Sequence, residues 1–253
     1  MAEWGLVVVA LVWGAAAGAV LPRAVYRFAV PSGEPWRDRC PAGHPVRGWL
    51  GGGVCAECAR AGSTGGDRRG DAVLARRSGV LAVVTALVCG GLALATGTRP
   101  ELVVWLLLAP LGVLLAVVDF AVRRLPDPLT LSLAGAALAL LALVSLVPEH
   151  AGDWPTALYG TLALGGGYLV LFLVNPGGMG FGDVKLALGA GAVLGWYGWA
   201  TVLLGTFAGF VFGALYGGAL VVARRAGRRT AIPFGPFLIA GAYTGLLVGA
   251  YAA

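Results

Sequence analysis

Two aspartates hold the chemistry this sequence can do. Asp183 lies in GGMGFGDVKL, residues 177–186, and Asp119 comes near the end of LLAPLGVLLAVVDF, residues 107–120. Each sits at the edge of a long apolar run, where an ionisable group is costly and usually functional. Two carboxylates facing one cavity can share a proton. One then stays ionised as a general base while the other, protonated, serves as a general acid. Such a pair can activate water for attack on a peptide carbonyl, with no metal and no side-chain nucleophile.

Blander readings stand beside this one. Asp183 at a helix start fits an N-cap. A cap does not need Gly177, Gly178, Gly180 and Gly182 before it. Glycines there allow a sharp bend or a close backbone approach, and irregular backbone at membrane depth needs protein or a water-filled cavity beside it. Asp119, at a helix C-terminus where the dipole opposes its charge, has Arg123 four residues on as a candidate partner. Asp127 before Pro128 reads as a plain N-cap. Glu101, Glu149 and Asp153 read as external loop charges, and His150 as a solvated one. Lys185 either snorkels to the headgroups or tunes the aspartate pair.

The elements that must position these groups are membrane helices. The mean hydropathy is +0.84, with 58% hydrophobic and 12% charged residues, and soluble domains have about twice that charge fraction. The expected fold is all-α and polytopic. About eight transmembrane helices fall near 5–21, 79–97, 101–118, 128–147, 156–174, 184–196, 198–222 and 233–251, with a small polar loop domain after the first. The division is a first helix over 1–22, a polar loop over 23–78 and a seven-helix unit over 79–253. AGSTGGDRRGD in the loop reads as flexible. The many intrahelical glycines read as close helix packing.

Placing the N-terminus outside puts 17 of the 18 Lys and Arg in cytoplasmic loops or at their boundary, leaving only Arg99 on the other side. That pattern also accounts for the net charge of +6. No basic face with interleaved aromatics points to nucleic acid. The partner implied by composition is the lipid bilayer.

The loop carries CPAGH at 40–44 and CAEC at 55–58. Cys40, His44, Cys55 and Cys58 make a reasonable Cys3His zinc set, against the alternative of free thiols. Cys89, in an apolar run, reads as a small buried hydrophobe.

GMGFGDVKLALGAGAVLGW, VDFAVRRLPDPLTL, IPFGPFLIAGA and GAAAGAVLPRAVYR together resemble the type IV prepilin peptidases, bacterial GxGD aspartyl proteases. The resemblance implies that Asp119 and Asp183 are the catalytic pair, with Gly178, Gly180, Gly182 and Lys185 supporting the site. It implies cleavage of basic leader peptides from prepilins or pseudopilins at the cytoplasmic face of a bacterial inner membrane. Pilus or type II secretion machinery is the implied setting. Many members also methylate the new N-terminus with S-adenosylmethionine. Proteolysis needs no cofactor, so that cofactor is expected only if the second activity is retained. The chain departs from the family in its polar loop: Gly43 stands where a second CxxC pair would be completed, and the stretch tied to methylation is hard to find. Peptidase activity is therefore the expectation, with N-methylation as the less favoured addition. Presenilin-type proteases carry Tyr before the first aspartate, whereas here it is Val118. A transporter would call for an internal repeat, which the aspartate motifs do not provide. A non-catalytic scaffold would have no need of both aspartates.

Overall fold

A computed structural model describes residues 2–53, 55, 57–58, 68–224 and 232–253, with the backbone alone at 2–3 and 68–77. Eight helices are named among the described residues. They are α1 (Ala2–Phe28), α2 (Arg68–Thr96), α3 (Glu101–Val122), α4 (Asp127–Val144), α5 (Trp154–Val174), α6 (Phe181–Gly195), α7 (Trp199–Val222) and α8 (Gly235–Ala252). The described residues form no strand, only an isolated bridge between Arg39 and Pro45. Helices are what lipid demands of a spanning chain, because each satisfies its own backbone groups. Seven of them are long and apolar enough to cross a membrane. The chain is a multi-pass membrane protein.

α6 is not among those seven. Its 15 residues rise about 22 Å. It was the shortest of the expected helices, and it lies deepest in the bundle.

The breaks have local causes. Gly97, at φ 65°, ends α2 with its N–H bonded to Ala93. Arg123, at φ 52°, ends α3 in the same left-handed conformation. Pro128, Pro155 and Pro236 fall in the first turns of α4, α5 and α8, where a missing N–H costs nothing.

Two boundaries differ from expectation. α1 continues through Pro22 to Phe28, and α2 begins at Arg68, ten residues before the apolar run. Hydropathy marks where lipid begins, not where a helix begins. AGSTGGDRRGD accordingly splits: its residues 61–67 lie outside the described residues, and 68–71 are helical.

The helices meet through glycines. Gly14 and Gly18 of α1 lie against the backbone of Leu81 and Thr85 in α2. Gly160 of α5 meets Gly191 of α6, and Gly241 of α8 meets Gly205 and Gly209 of α7. In each case an added Cβ would meet backbone, so these glycines are packing residues, as expected.

The polar loop is docked on the end of α1. Trp49 stacks on Phe28, and the Arg27 guanidinium sits 3.8 Å from the Trp49 ring centre. Arg23 donates to the carbonyls of Arg47 and Leu50, and the Tyr26 hydroxyl donates to Arg39. Arg124, just beyond α3, donates to Pro31 and covers Trp36. Several of the arginines counted for charge are therefore spent on loop carbonyls and aromatic faces.

Candidate active site

Asp119 points inward from the last turn of α3 and is 4% exposed. Its Oδ2 accepts the Gly235 N–H at 3.1 Å. α8 begins at Gly235, so an anion here meets free N–H groups at a helix start. A Cβ on Gly235 would stand 2.7 Å from that same Oδ2. Gly235 is thus fixed by the aspartate it serves.

Asp183 is 6% exposed and occupies the third position of α6, which starts at Phe181. Its Oδ2 reaches back to accept the Gly180 N–H at 3.2 Å, while its own N–H donates to Gly180 O. The aspartate singled out by the sequence therefore also caps the helix. The chain turns between α5 and α6 over 176–179, without positive φ at any of Gly177, Gly178, Gly180 and Gly182. Two of these glycines also allow close approach. A Cβ at Gly178 would strike the Asn175 amide, and one at Gly182 would stand 2.9 Å from Leu125. Leu125 also lies beside Gly235, so it is wedged between the backbones that hold the two aspartates.

Both aspartates line one cavity of about 590 Å³. Ser32 and Trp36 of the polar loop, Arg123, Arg124, Asp127, Phe181 and Lys185 share its wall. Asp119 lies close enough for its charge to act on Asp183. A water in such a space has two carboxylates to serve it, and a peptide has a polar mouth by which to enter.

Asp127 is a correction. It is the first residue of α4 and makes no side-chain cap. Its carboxylate lies 2.6 Å from Lys185 Nζ, and the ammonium also covers the Phe181 ring at 4.9 Å. The pair joins the starts of α4 and α6 at the cavity wall. Sequence could not find it, because the partners lie far apart along the chain.

In the polar loop, the Cys40, His44, Cys55 and Cys58 donor atoms all lie within 4.8 Å of one another. Cys40 Sγ is 3.8 Å from Cys58 Sγ and 3.6 Å from His44 Nδ1, which is 3.3 Å from Cys58 Sγ. A tetrahedron built on zinc–sulfur bonds of about 2.3 Å has sulfur–sulfur edges of about 3.8 Å. The donor set fits zinc. His44 Nε2 faces Glu57 at 3.9 Å, the carboxylate that typically orients a ligating imidazole. The Cys58 N–H holds the Cys55 thiol down, whereas desolvation pushes the Cys58 thiol up to about 11.

At the other end of the bundle, two sequence readings are overturned. Glu101 is not an external charge but fully buried, accepting from the Tyr197 hydroxyl at 3.2 Å and the Ala151 N–H at 3.3 Å. His150 is half-buried, packed on Trp196 with ring centres 5.7 Å apart. The connection between α4 and α5 folds inward, bringing His150 against Trp196 and Ala151 against Glu101, which loop hydrophilicity alone does not reveal. Cys89 is buried as expected.

Residues 105–218 match the type IV leader peptidase family, a segment that includes both aspartates. Among relatives named prepilin leader peptidase/N-methyltransferase, one from Aeromonas salmonicida is 36% identical over 156 residues, 58% of this chain and 48% of the relative. One from Pseudomonas aeruginosa is 28% identical over 245 residues, 90% of this chain and 75% of the relative. One from Escherichia coli K12 is 36% identical over 142 residues, 52% of this chain and 57% of the relative. The chain spans about half the length of the Aeromonas relative. No solved structure matches it. The family resemblance carried by the motifs is borne out.

Proposed function

We propose that this chain, with residues 105–218 matching the type IV leader peptidase family, is a membrane aspartyl endopeptidase that removes leaders from prepilins or pseudopilins. One observation carries the reading: two buried carboxylates from different helices, Asp119 and Asp183, line a single cavity. The ionised carboxylate takes a proton from water as the water oxygen attacks the scissile carbonyl carbon. The protonated carboxylate gives its proton to the carbonyl oxygen. Collapse of the tetrahedral intermediate breaks the C–N bond, and the amine leaves with a proton from the pair. Gly235 and Gly180 hold one oxygen of each carboxylate.

The cavity faces the cytoplasm in this reading, with the N-terminus outside, in a bacterial inner membrane. Arginine distribution supports that orientation. Cys40, His44, Cys55 and Cys58 hold a structural zinc ion that closes the polar loop, while residues 79–253 supply the peptidase unit.

The test is co-expression with a prepilin from the same genome, read by gel shift and intact mass. Wild type is expected to remove the leader, and Asp119→Asn and Asp183→Asn to be inserted in the membrane but silent. Normal cleavage by either variant overturns the paired mechanism. The product mass also reports any methyl group added.

A further inference from the structure

Tyr168 is 2% exposed, and its hydroxyl has no hydrogen-bond partner. A buried phenol usually finds one. Where this one sits follows from helix register. α5 and α6 run antiparallel: Gly195 lies against Thr156, Gly191 against Gly160, and Leu188 against Gly165. One turn further along α5, Tyr168 comes level with residues 183–185. It shares a buried cluster with Val184 and Ala187, and its hydroxyl lies within reach of the Asp183 charge.

The ring is held on its other side as well. It stacks on Phe210 of α7 at 5.9 Å and leans on Phe234 at 6.0 Å. Phe234 immediately precedes Gly235, whose N–H holds Asp119. Tyr168 is therefore packed between the supports of both aspartates. It does not line the cavity, so it approaches from the protein side.

We propose that Tyr168 is a positioning residue for Asp183: when substrate fills the cavity, its hydroxyl donates a hydrogen bond to the Asp183 carboxylate and fixes the oxygen that faces the peptide. The inference rests on the aspartyl peptidase reading. Other charged groups around Asp183 are Asp119 of α3, Asp127 of α4, Lys185 of α6, and Arg123 and Arg124 between α3 and α4. Tyr168→Phe leaves all of them in place and keeps the ring.

The experiment compares wild type, Tyr168→Phe and Asp183→Asn in detergent, on the prepilin used above. A hydrogen bond to a charged group corresponds to roughly a ten- to hundredfold effect. Tyr168→Phe is expected to lower kcat by that factor with KM within about twofold, as for a residue that positions the carboxylate for the chemical step without binding substrate. Its thermal midpoint is expected to equal or exceed wild type, because an orphaned hydroxyl has been removed. A wild-type kcat, or a change confined to KM, overturns the assignment. If Asp183→Asn is silent while Tyr168→Phe cleaves normally, the Tyr168 inference alone fails. If Asp183→Asn cleaves, or wild type cleaves nothing, the peptidase reading fails and takes the inference with it.

Discussion

Gly235 and Glu101 show how much can depend on one side chain, or on the lack of one. Gly235→Ala would drive a methyl group against Asp119 Oδ2 and to within 3.2 Å of Leu125 Cδ1. The bundle should still fold, but cleavage should fall on the order of a hundredfold, as misplacement of about 1 Å commonly does. Gly112→Ala, whose Cβ would meet only Ile239 at 3.8 Å, should leave the rate unchanged in the same assay. Glu101→Ala would strand the Tyr197 hydroxyl and the Ala151 N–H, costing about 1–3 kcal/mol in thermal unfolding. Glu101→Gln keeps an acceptor and should lose little. Asp119 and Asp183 were legible in the sequence because a charge beside lipid has few innocent explanations. Glu101 and Asp127 were not. Glu101 looked like a loop charge and Asp127 like a plain cap, and what buries or pairs each comes from a distant part of the chain.

At the scale of the element, α5 and α6 touch through backbone. A Cβ on Gly191 would run into Gly160 and Thr161 main-chain atoms, which no rotamer can clear. Gly191→Leu should destabilise by about 3 kcal/mol or more, read as lost folded yield in detergent. Gly166→Ala, with nothing within 4 Å, should be neutral or slightly stabilising. The helices themselves were readable from hydropathy, since lipid imposes a length and a composition. Helix ends outside the lipid were not, which is why α2 begins at Arg68 rather than near 79. The Cys–His spacing foretold the loop cluster, but not the arginine and tryptophan contacts that dock it on α1. Purified protein should hold one zinc ion by elemental analysis. Cys58→Ser should lose it and expose the stretch between 29 and 53 to limited proteolysis.

The whole molecule sets how a substrate arrives. Asp119, Asp127 and Asp183 in the cavity wall are matched by Arg123, Arg124 and Lys185. Such a wall projects little net field, so on the proposed reading a basic leader is not drawn in by the cavity alone. In neutral lipid the cleavage rate should barely respond to salt. Anionic lipid should raise the rate and make it salt-sensitive, because the attraction then comes from the membrane surface.

The shortness of α6 has a further consequence. Backbone contact fixes it to α5, so it cannot tilt by itself to make up the difference between about 22 Å and a hydrocarbon core of about 30 Å. α5 begins at Trp154, beyond the level where α6 ends at Gly195, and continues to Val174, past the level where α6 starts at Phe181, so the shortfall is shared by the two ends, one of which is the Asp183 end. There the bilayer must thin, or water must descend, to meet the protein. Lipids of increasing acyl length should therefore reach an optimum and then slow cleavage, as hydrophobic mismatch closes the aqueous approach to the aspartates. On the peptidase reading, membrane thickness becomes a control on cleavage, set by one helix that is a turn or two too short.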